Sequence, residues 1–361
     1  TRIAEIATSP KEEGMIYFQD RDYRRAVDIL QSHAADYTED AEYLYYLGES
    51  LYFLARETSD IPMTEAAISY LEKARQFKKD CRYEIGLARF QLDLFGARAR
   101  GLKNEDNEPF LFVHPKEAAS PAPRVGVVLV HGFTACPWEV RELGVYLFKQ
   151  GYDVYGVLLA GHGTKPEDLC DITWEQWYNS VENALTTIRM IADHIYLGGV
   201  STGGSLCLLA ASKYQVSGVI SLASAIYLQD DMAMLASVGK YVKKYNIRPL
   251  KDKVKPYYYE ERSVAAVGQL NELLSVVKKE IGKIEEPIIV FQSKEDKTIK
   301  PESGQFIYDN VSSPQREIVW FEASPHVLTT FENKEQQKTI ETVGAFIKRI
   351  EASNNTSEGD K

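Results

Sequence analysis

Hydrophobic residues follow two different patterns along the chain, and the change falls near residue 105. Between residues 11 and 100 apolar positions recur at helical spacing, with Pro62 as the one proline and no β-branched runs. Beyond that point short Val, Ile and Leu runs alternate with amphipathic segments, which is typical of βα units around a parallel sheet. We therefore predict an all-α domain with its linker over 1–105, an α/β domain over 106–350 and a polar tail at 351–361.

Near-continuous apolar runs in the larger domain suit strands that are buried on both faces. The predicted strands are Phe110–Val113, Val125–Val130, Val154–Leu159, Ile195–Val200, Gly218–Leu222, Pro287–Gln292 and Glu317–Phe321. Helical patterns separate most of them, at Trp138–Lys149, Trp174–Met190, Gly203–Lys213, Glu302–Asn310 and Lys334–Ile350. The charged segment from about 226 to 286 is too long for a simple connection, and its pattern is mostly helical.

The helical region contains a faint repeat. Gly14 and Gly48 are 34 residues apart, and the helix beginning at Tyr23 is echoed around Ala67 and Leu71. Small residues at such places let two helices approach closely, while large ones fill the gaps between helix pairs. The region resembles tetratricopeptide repeats, and an irregular helical bundle is the alternative.

Four tyrosines stand on the expected concave face of this repeat: Tyr43, Tyr45, Tyr46 and Tyr52. Such a face predicts a surface for a partner protein or for self-association. Aromatic residues at helical spacing also form cores, so a packing role is the competing interpretation.

The composition is that of an ordinary globular protein, with 44% hydrophobic and 26% charged residues among 361. A net charge of -10 without a long basic stripe argues against nucleic acid or an anionic membrane surface as the main partner. No apolar run approaches the roughly 18 residues that a membrane span requires. Four cysteines without paired spacing predict buried free thiols. The chain begins at Thr1 without a charged-then-apolar leader, so we expect a cytoplasmic location, with removal of a leader as the alternative.

The clearest catalytic signal is the G-x-S-x-G motif at 199–203, directly after a predicted strand. A strand that turns within one residue into a helix holds Ser201 in a strained conformation and requires small neighbours. Its hydroxyl then projects beyond the carboxyl end of the strand, where open parallel sheets bind ligands. An ordinary glycine-rich connection is the alternative, and the small-residue helix that follows favours a nucleophile.

A second loop that could take part in catalysis follows the strand that ends at Val130. Gly132 permits a backbone path in which the amide of Phe133 faces the cavity, and the amide of Thr202 provides a second donor for a developing oxyanion. Taken by itself, the segment also fits a turn glycine with His131 in a structural hydrogen bond.

A serine hydroxyl needs a base, and the base needs an acid that orients it. Of the six histidines, His326 lies on the loop between the last strand and the final helix, and we select it as the base. His162 also follows a strand, but it precedes Ser201 in the chain. Glu295 and Asp296 follow the preceding strand, and we select Asp296 because its shorter side chain closes the turn.

About two thirds of the chain, residues 125–350, resembles the α/β-hydrolase family that includes monoacylglycerol lipases and small bacterial carboxylesterases. The resemblance rests on segments 128–134, 159–163, 198–204, 291–296 and 324–327. It implies a mostly parallel sheet with helices on both faces. It also implies Ser201 as nucleophile, His326 as base and Asp296 as its orienter, with the two amides described above as the oxyanion hole. The order Ser, Asp, His along the chain is that of α/β-hydrolases.

In that family the insert at 226–286 forms a cap over the pocket. Met232, Met234 and Leu235 are expected to line an acyl pocket, since such side chains adapt to flexible apolar chains. His162, within a matching segment, is expected beside the substrate. Packing of the cap against the core is the alternative for each of these residues.

The expected activity is hydrolysis of small-molecule esters with short to medium acyl chains, monoglycerides among them, through an acyl-enzyme. No metal or organic cofactor is required. An amidase, thioesterase or acyltransferase uses the same machinery. A rival interpretation makes the helical repeats the functional part, binding a protein partner, with the hydrolase fold as an inert platform; the intact triad argues against it.

Overall fold

The computed structural model describes residues 9–116, 123–229 and 245–358. The chain divides into two compact units, Thr1–Ala99 and Arg100–Lys361. The stretch expected as a linker begins the second unit and packs on it. Asn107 is buried, and its side-chain amide donates to the Gly163 carbonyl at 3.0 Å.

Consecutive helices build the first unit: α1 (Pro10–Gln19), α2 (Tyr23–Ser32), α3 (Ala41–Thr58), α4 (Ile61–Gln76) and α5 (Arg82–Ala99). The side chains of Ser9, Asp22, Asp40 and Asp60 accept hydrogen bonds from first-turn amides of α1, α2, α3 and α4. These caps satisfy amides that have no partner within the helix, which fixes where each helix begins.

Two glycines mark close helix contacts in this unit. A Cβ atom at Gly14 of α1 would lie 2.4 Å from Leu30 of α2, and one at Gly48 of α3 would lie 2.7 Å from Leu71 of α4. The close approach expected at both glycines is therefore present. Assignment of the unit to tetratricopeptide repeats remains a prediction.

The tyrosines expected to form a recognition face do not share one environment. Tyr43 and Tyr52 are buried in the core of the helical unit. The Tyr43 hydroxyl donates to the Leu30 carbonyl, and its ring stacks on Tyr37 with centroids 4.2 Å apart. Core packing is thus the correct interpretation for these two residues.

The second unit contains the strands β1 (Phe110–Phe112), β2 (Val125–Val130), β3 (Asp153–Val157), β4 (His194–Val200), β5 (Gly218–Leu222), β6 (Tyr245–Ile247), β7 (Glu261–Ser263), β8 (Ile288–Ser293) and β9 (Arg316–Phe321). Seven of them form one sheet in the order β1-β3-β2-β4-β5-β8-β9. β1 is antiparallel to β3, and the remaining pairs are parallel. Every predicted strand is present, and the expected mostly parallel α/β sheet is confirmed.

Helices connect and cover the strands: α6 (Trp138–Lys149), α7 (Trp174–Ile191), α8 (Thr202–Ala211), α9 (Val264–Glu280), α10 (Glu302–Asn310) and α11 (Gln336–Glu358). Because β2, β4, β8 and β9 run parallel, their carboxyl ends meet at one edge of the sheet. The loops after these four strands therefore carry the predicted chemistry to one place. α11 continues through most of the segment expected as a polar tail.

The insert at 226–286 is less helical than expected in the part that the structure describes. β6 pairs with β7 in a small antiparallel ladder, and α9 follows directly. Both strands are three residues long and, unlike β1, neither contains an apolar run, so the sequence pattern could not reveal them. Met232, Met234 and Leu235 lie outside the described residues.

All four cysteines carry free thiols, and Cys81, Cys136 and Cys207 are buried, as predicted; Cys170 differs from the prediction in being only half-buried. Among the helices of the described ranges, none has the length and apolarity that crossing a membrane would require.

Candidate active site

Ser201 sits alone between β4 and α8, in the sharp turn that the motif predicts. Its backbone φ is +53°, a conformation that residues other than glycine rarely adopt. A Cβ atom at Gly203 would lie 2.3 Å from the Val130 carbonyl oxygen, and one at Gly199 would lie 2.3 Å from the Gly203 carbonyl carbon. Both positions need glycine because backbone atoms, which cannot turn aside, fill the space.

Thr202 is the first residue of α8, so its amide has no acceptor within the helix. Phe133 and Thr202 both line the cavity that contains Ser201. The two predicted amide donors thus belong to residues from two different loops of one cavity, Phe133 after β2 and Thr202 after β4. The positive end of the α8 dipole also favours negative charge at this place.

His131 has the structural role that was left open. The Leu159 amide donates to its Nε2 at 3.2 Å, so the proton resides on Nδ1, which donates to the Gly132 carbonyl at 2.8 Å. Burial and the neighbouring His162 lower the pKa of His131 well below its usual value, although the bond to Gly132 opposes this. A neutral imidazole therefore fixes the Gly132 carbonyl.

The predicted base and acid are in direct contact. His326 Nδ1 lies 2.7 Å from Asp296 Oδ2. Burial tends to raise the pKa of Asp296, but the interaction with His326 and the amides of Ile299 and Thr298 outweigh it and hold the pKa below its usual value. The carboxylate is therefore ionised at neutral pH. The neighbouring Glu295 is exposed to solvent.

Hydrogen bonds hold the loop after β8, which carries Asp296, against the loop after β9, which carries His326. The Ser293 hydroxyl, at the end of β8, donates to the Ser324 carbonyl at 2.7 Å. The Ser324 hydroxyl in turn donates to Glu335 at 2.6 Å, just before α11. The loop that carries His326 is thus tied to the strand that precedes Asp296 and to the start of the last helix.

Ser201 and His326 line the same cavity, which has a volume of about 460 Å³. Its polar lining includes Gly132, Glu139, Thr202 and Tyr258, and its apolar lining includes Phe133, Leu228, Val267, Leu270, Ile299 and Val327. In the described part of the chain the Ser201 hydroxyl makes no hydrogen bond to His326. Such a link often tightens only when substrate is bound.

His162 is not among the described residues that line this cavity. It is buried behind Phe133, with ring centroids 6.2 Å apart, and packs on Trp177 and Tyr259. Burial lowers its pKa to about 4, although bonds to backbone atoms of Ala160 and Leu159 oppose the shift. The packing role left open for His162 fits this position, and the role beside the substrate that the resemblance implies for it remains a prediction.

Glu139 and Tyr258 are among the cavity residues that sequence reasoning missed. Glu139 lies in the first turn of α6, where acidic residues are common for electrostatic reasons alone. Nothing in its spacing signals that the side chain turns inward beside Gly132. Tyr258 comes from the insert, where three consecutive tyrosines gave no indication of which one reaches the cavity.

The sheet order, the strained serine after β4 and the acid–histidine pair after β8 and β9 define an α/β hydrolase. The family described as serine aminopeptidase, S33 matches residues 121–334, and the chain belongs to this family.

Curated relatives match the same part of the chain. A thermostable monoacylglycerol lipase from Bacillus sp. (strain H-257) is 32% identical over 209 residues, which are 57% of this chain and 84% of the relative. A carboxylesterase from Bacillus subtilis (strain 168) is 26% identical over 232 residues, 62% of this chain and 93% of the relative.

Solved structures share the fold. One, from a study of the metagenome-derived lipolytic enzymes LipS and LipT, superposes with a TM-score of 0.62 and 25% identity over 68% of this chain and 98% of that one. The α/β-hydrolase fold expected from the sequence is therefore confirmed.

Proposed function

We propose that this protein is a serine carboxylic-ester hydrolase in which Ser201 is the nucleophile, His326 the base and Asp296 the residue that orients it. The observation that carries the proposal is that Ser201 and His326 line one cavity, with Asp296 bonded to the far side of the imidazole at 2.7 Å. The names of the two Bacillus relatives support an ester as substrate.

Asp296 keeps the proton of His326 on Nδ1, which leaves Nε2 unprotonated. Nε2 accepts the Ser201 proton as the serine oxygen bonds to the ester carbonyl carbon. The negative charge on the carbonyl oxygen is stabilised by the amides of Phe133 and Thr202. The tetrahedral intermediate then expels the alcohol, which takes the proton from His326.

The second half of the reaction repeats these roles with water. His326 takes a proton from a water molecule as the water oxygen bonds to the acyl carbon. The second tetrahedral intermediate then releases the carboxylic acid, while His326 returns the proton to the Ser201 oxygen. A cavity of about 460 Å³ whose apolar side is formed by Phe133, Val267 and Leu270 fits short to medium acyl chains.

Wild type and Ser201→Ala should be compared on p-nitrophenyl butyrate and labelled with a fluorophosphonate probe. We expect hydrolysis and labelling by the wild type and loss of both in the variant. Ser212→Ala is the matched control, since this serine lies just past the end of α8 and, within the described ranges, its hydroxyl bonds only to the Leu209 carbonyl. Equal, background-level rates from all three proteins would favour the rival interpretation, a protein-interaction module.

The family description names an aminopeptidase, so an amide substrate is the second candidate. Butyryl p-nitroanilide has the same acyl chain as the ester and reports on amide cleavage. We expect a far higher rate on the ester, and a rate ratio in favour of the anilide would make the protein an amidase. Butyryl thioester hydrolysis and acyl transfer to added glycerol distinguish the two remaining alternatives.

A further inference from the structure

Glu139 is a buried carboxyl group at the site that the proposed reaction does not use. Only 2% of the residue is exposed, and it lines the cavity with Ser201. Its Oε2 accepts a hydrogen bond from the Gly132 amide at 2.6 Å, and its Oε1 accepts one from the Tyr258 hydroxyl at 2.8 Å. Burial raises the pKa of Glu139 despite these two bonds and the nearby charges of His326 and Arg248.

The Gly132 amide lies one peptide unit before the amide of Phe133. The Gly132 carbonyl is fixed by donors from His131 at 2.8 Å and Ala135 at 3.2 Å. In a planar trans peptide the N–H points opposite to the C=O, so the same donors fix the direction of the Phe133 N–H. Glu139 holds the other side of Gly132, a residue whose backbone would otherwise be the freest in the loop.

Glu139 also connects this loop to two other parts of the site. Tyr258 comes from the insert, and the next residue, Tyr259, donates its amide to the Thr134 carbonyl at 3.0 Å. The Thr329 hydroxyl, on the loop that follows His326, donates to the Glu139 backbone carbonyl at 2.7 Å. The loop after β2, the insert and the loop after β9 that carries His326 are therefore all bonded to Glu139.

We propose that Glu139 is a positioning residue for ester hydrolysis: held by Tyr258, its carboxyl oxygen anchors the Gly132 amide so that the Phe133 N–H stays directed at the oxyanion. This inference rests on the proposed function. It assigns no proton transfer to Glu139. What matters is an acceptor at Oε2 and a second bond that fixes the carboxyl plane.

An acceptor role predicts that glutamine can replace Glu139 and that alanine cannot. In Glu139→Gln the side-chain carbonyl oxygen accepts from the Gly132 amide, while the NH₂ group donates to the Tyr258 oxygen. A negative charge on Glu139 would not help the reaction. A Cβ atom built on Gly132 would lie 3.2 Å from Oε2 and 3.3 Å from the Ser201 Cβ, so a carboxylate stands close to the place where negative charge develops.

The test compares kcat and KM for p-nitrophenyl butyrate, together with inhibition by a trifluoromethyl ketone, whose hemiketal oxyanion occupies the oxyanion hole. We expect Glu139→Ala to lower kcat about 10- to 100-fold with KM changed less than about threefold, since a misdirected oxyanion donor acts in the transition state. The ketone Ki should rise in parallel with the fall in kcat/KM. Glu139→Gln should keep at least about a third of wild-type kcat.

Tyr258→Phe removes the hydrogen bond from the Tyr258 hydroxyl to Glu139 Oε1, and it tests the proposal even if Glu139→Ala does not fold. We expect kcat to fall about 3- to 10-fold, and the double variant Glu139→Gln/Tyr258→Phe to match Tyr258→Phe alone, because both residues act as one unit. Matched controls are Glu142→Gln, an exposed position on α6, and Tyr257→Phe, which bonds to Asp106 instead. Both controls should keep wild-type kinetics.

Wild-type kcat in a folded Glu139→Ala, or a Glu139→Gln as impaired as Glu139→Ala, overturns the inference. So does wild-type kcat in Tyr258→Phe, which decides the matter if Glu139→Ala does not fold. An inactive wild type would instead refute the proposed function, so the two failures are distinguishable.

Discussion

Asp296 holds His326 through one carboxylate oxygen and is itself held through the other. Oδ2 lies 2.7 Å from His326 Nδ1, while Oδ1 accepts the amides of Thr298 at 2.7 Å and Ile299 at 3.0 Å. The backbone therefore fixes the orientation of the carboxylate, and the carboxylate fixes the imidazole.

Asp296→Asn should lower kcat for p-nitrophenyl butyrate by roughly 10³- to 10⁴-fold with little change in stability. An amide in place of Oδ2 can present its NH₂ group to Nδ1, which favours the wrong tautomer of His326. The exposed neighbour offers a control, and Glu295→Gln should keep full activity. Comparable losses in both variants, measured by initial rates at pH 7, would contradict the choice of Asp296.

Gly203→Ala should destabilise the second unit by about 1–3 kcal/mol and reduce fluorophosphonate labelling of Ser201. The added methyl would lie 2.3 Å from the Val130 carbonyl oxygen and 2.4 Å from that of His131, so α8 must shift away from β2. Gly282→Ala is the control, because the nearest atom there is 3.6 Å away. Thermal unfolding and labelling that are equal in the two variants would refute this account.

Stability should fall as the pH drops from 7 toward 4.5, in part because of His162. Its pKa falls from the usual 6.5 to about 4 on folding, so below 6.5 the unfolded chain binds a proton that the folded chain does not. The stability contribution is complete above pH 6.5 and is lost progressively as the pH approaches 4. The loss amounts to about 2–3 kcal/mol by pH 4.5.

His162→Phe should therefore lose less stability than the wild type between pH 7 and pH 4.5, as measured by urea unfolding. Phenylalanine keeps the aromatic packing on Trp177 and cannot titrate. A control that shortens a buried aromatic side chain of the same unit and removes no titratable group, Phe346→Leu, should show the wild-type pH dependence. Identical pH dependence in His162→Phe and the wild type would mean that His162 is not the group responsible.

Val267→Trp should shorten the range of acyl chains that the enzyme accepts. Val267 lines the cavity from α9 and packs near Phe133. We expect kcat/KM to fall about tenfold for p-nitrophenyl octanoate and less than about threefold for the acetate, since a filled cavity excludes the longer chain first. Ser275→Trp, on the exposed face of the same helix, should leave both values unchanged. Equal losses on the two esters in Val267→Trp would show that the residue does not limit chain length.

The strands, the glycine motif and the choice between Glu295 and Asp296 could be argued from the chain itself because each rests on local constraints. A continuous apolar run such as 125–130 has few alternatives to a strand buried on both faces. The φ of +53° at Ser201 follows from a turn of one residue between a strand and a helix. The small residues that such a turn requires, Gly199 and Gly203, are visible in the sequence.

Features that depend on distant parts of the chain were decided only by folding. The inward turn of Glu139, its bond to Tyr258 119 residues away and the burial of His162 behind Phe133 leave no local pattern. The same holds for the three-residue strands β6 and β7, which pair across a loop. Local spacing determines which residues share a strand or a turn. Whether a polar side chain ends in solvent, in the core or on a neighbouring loop depends on what packs against it, and that is a property of the tertiary structure alone.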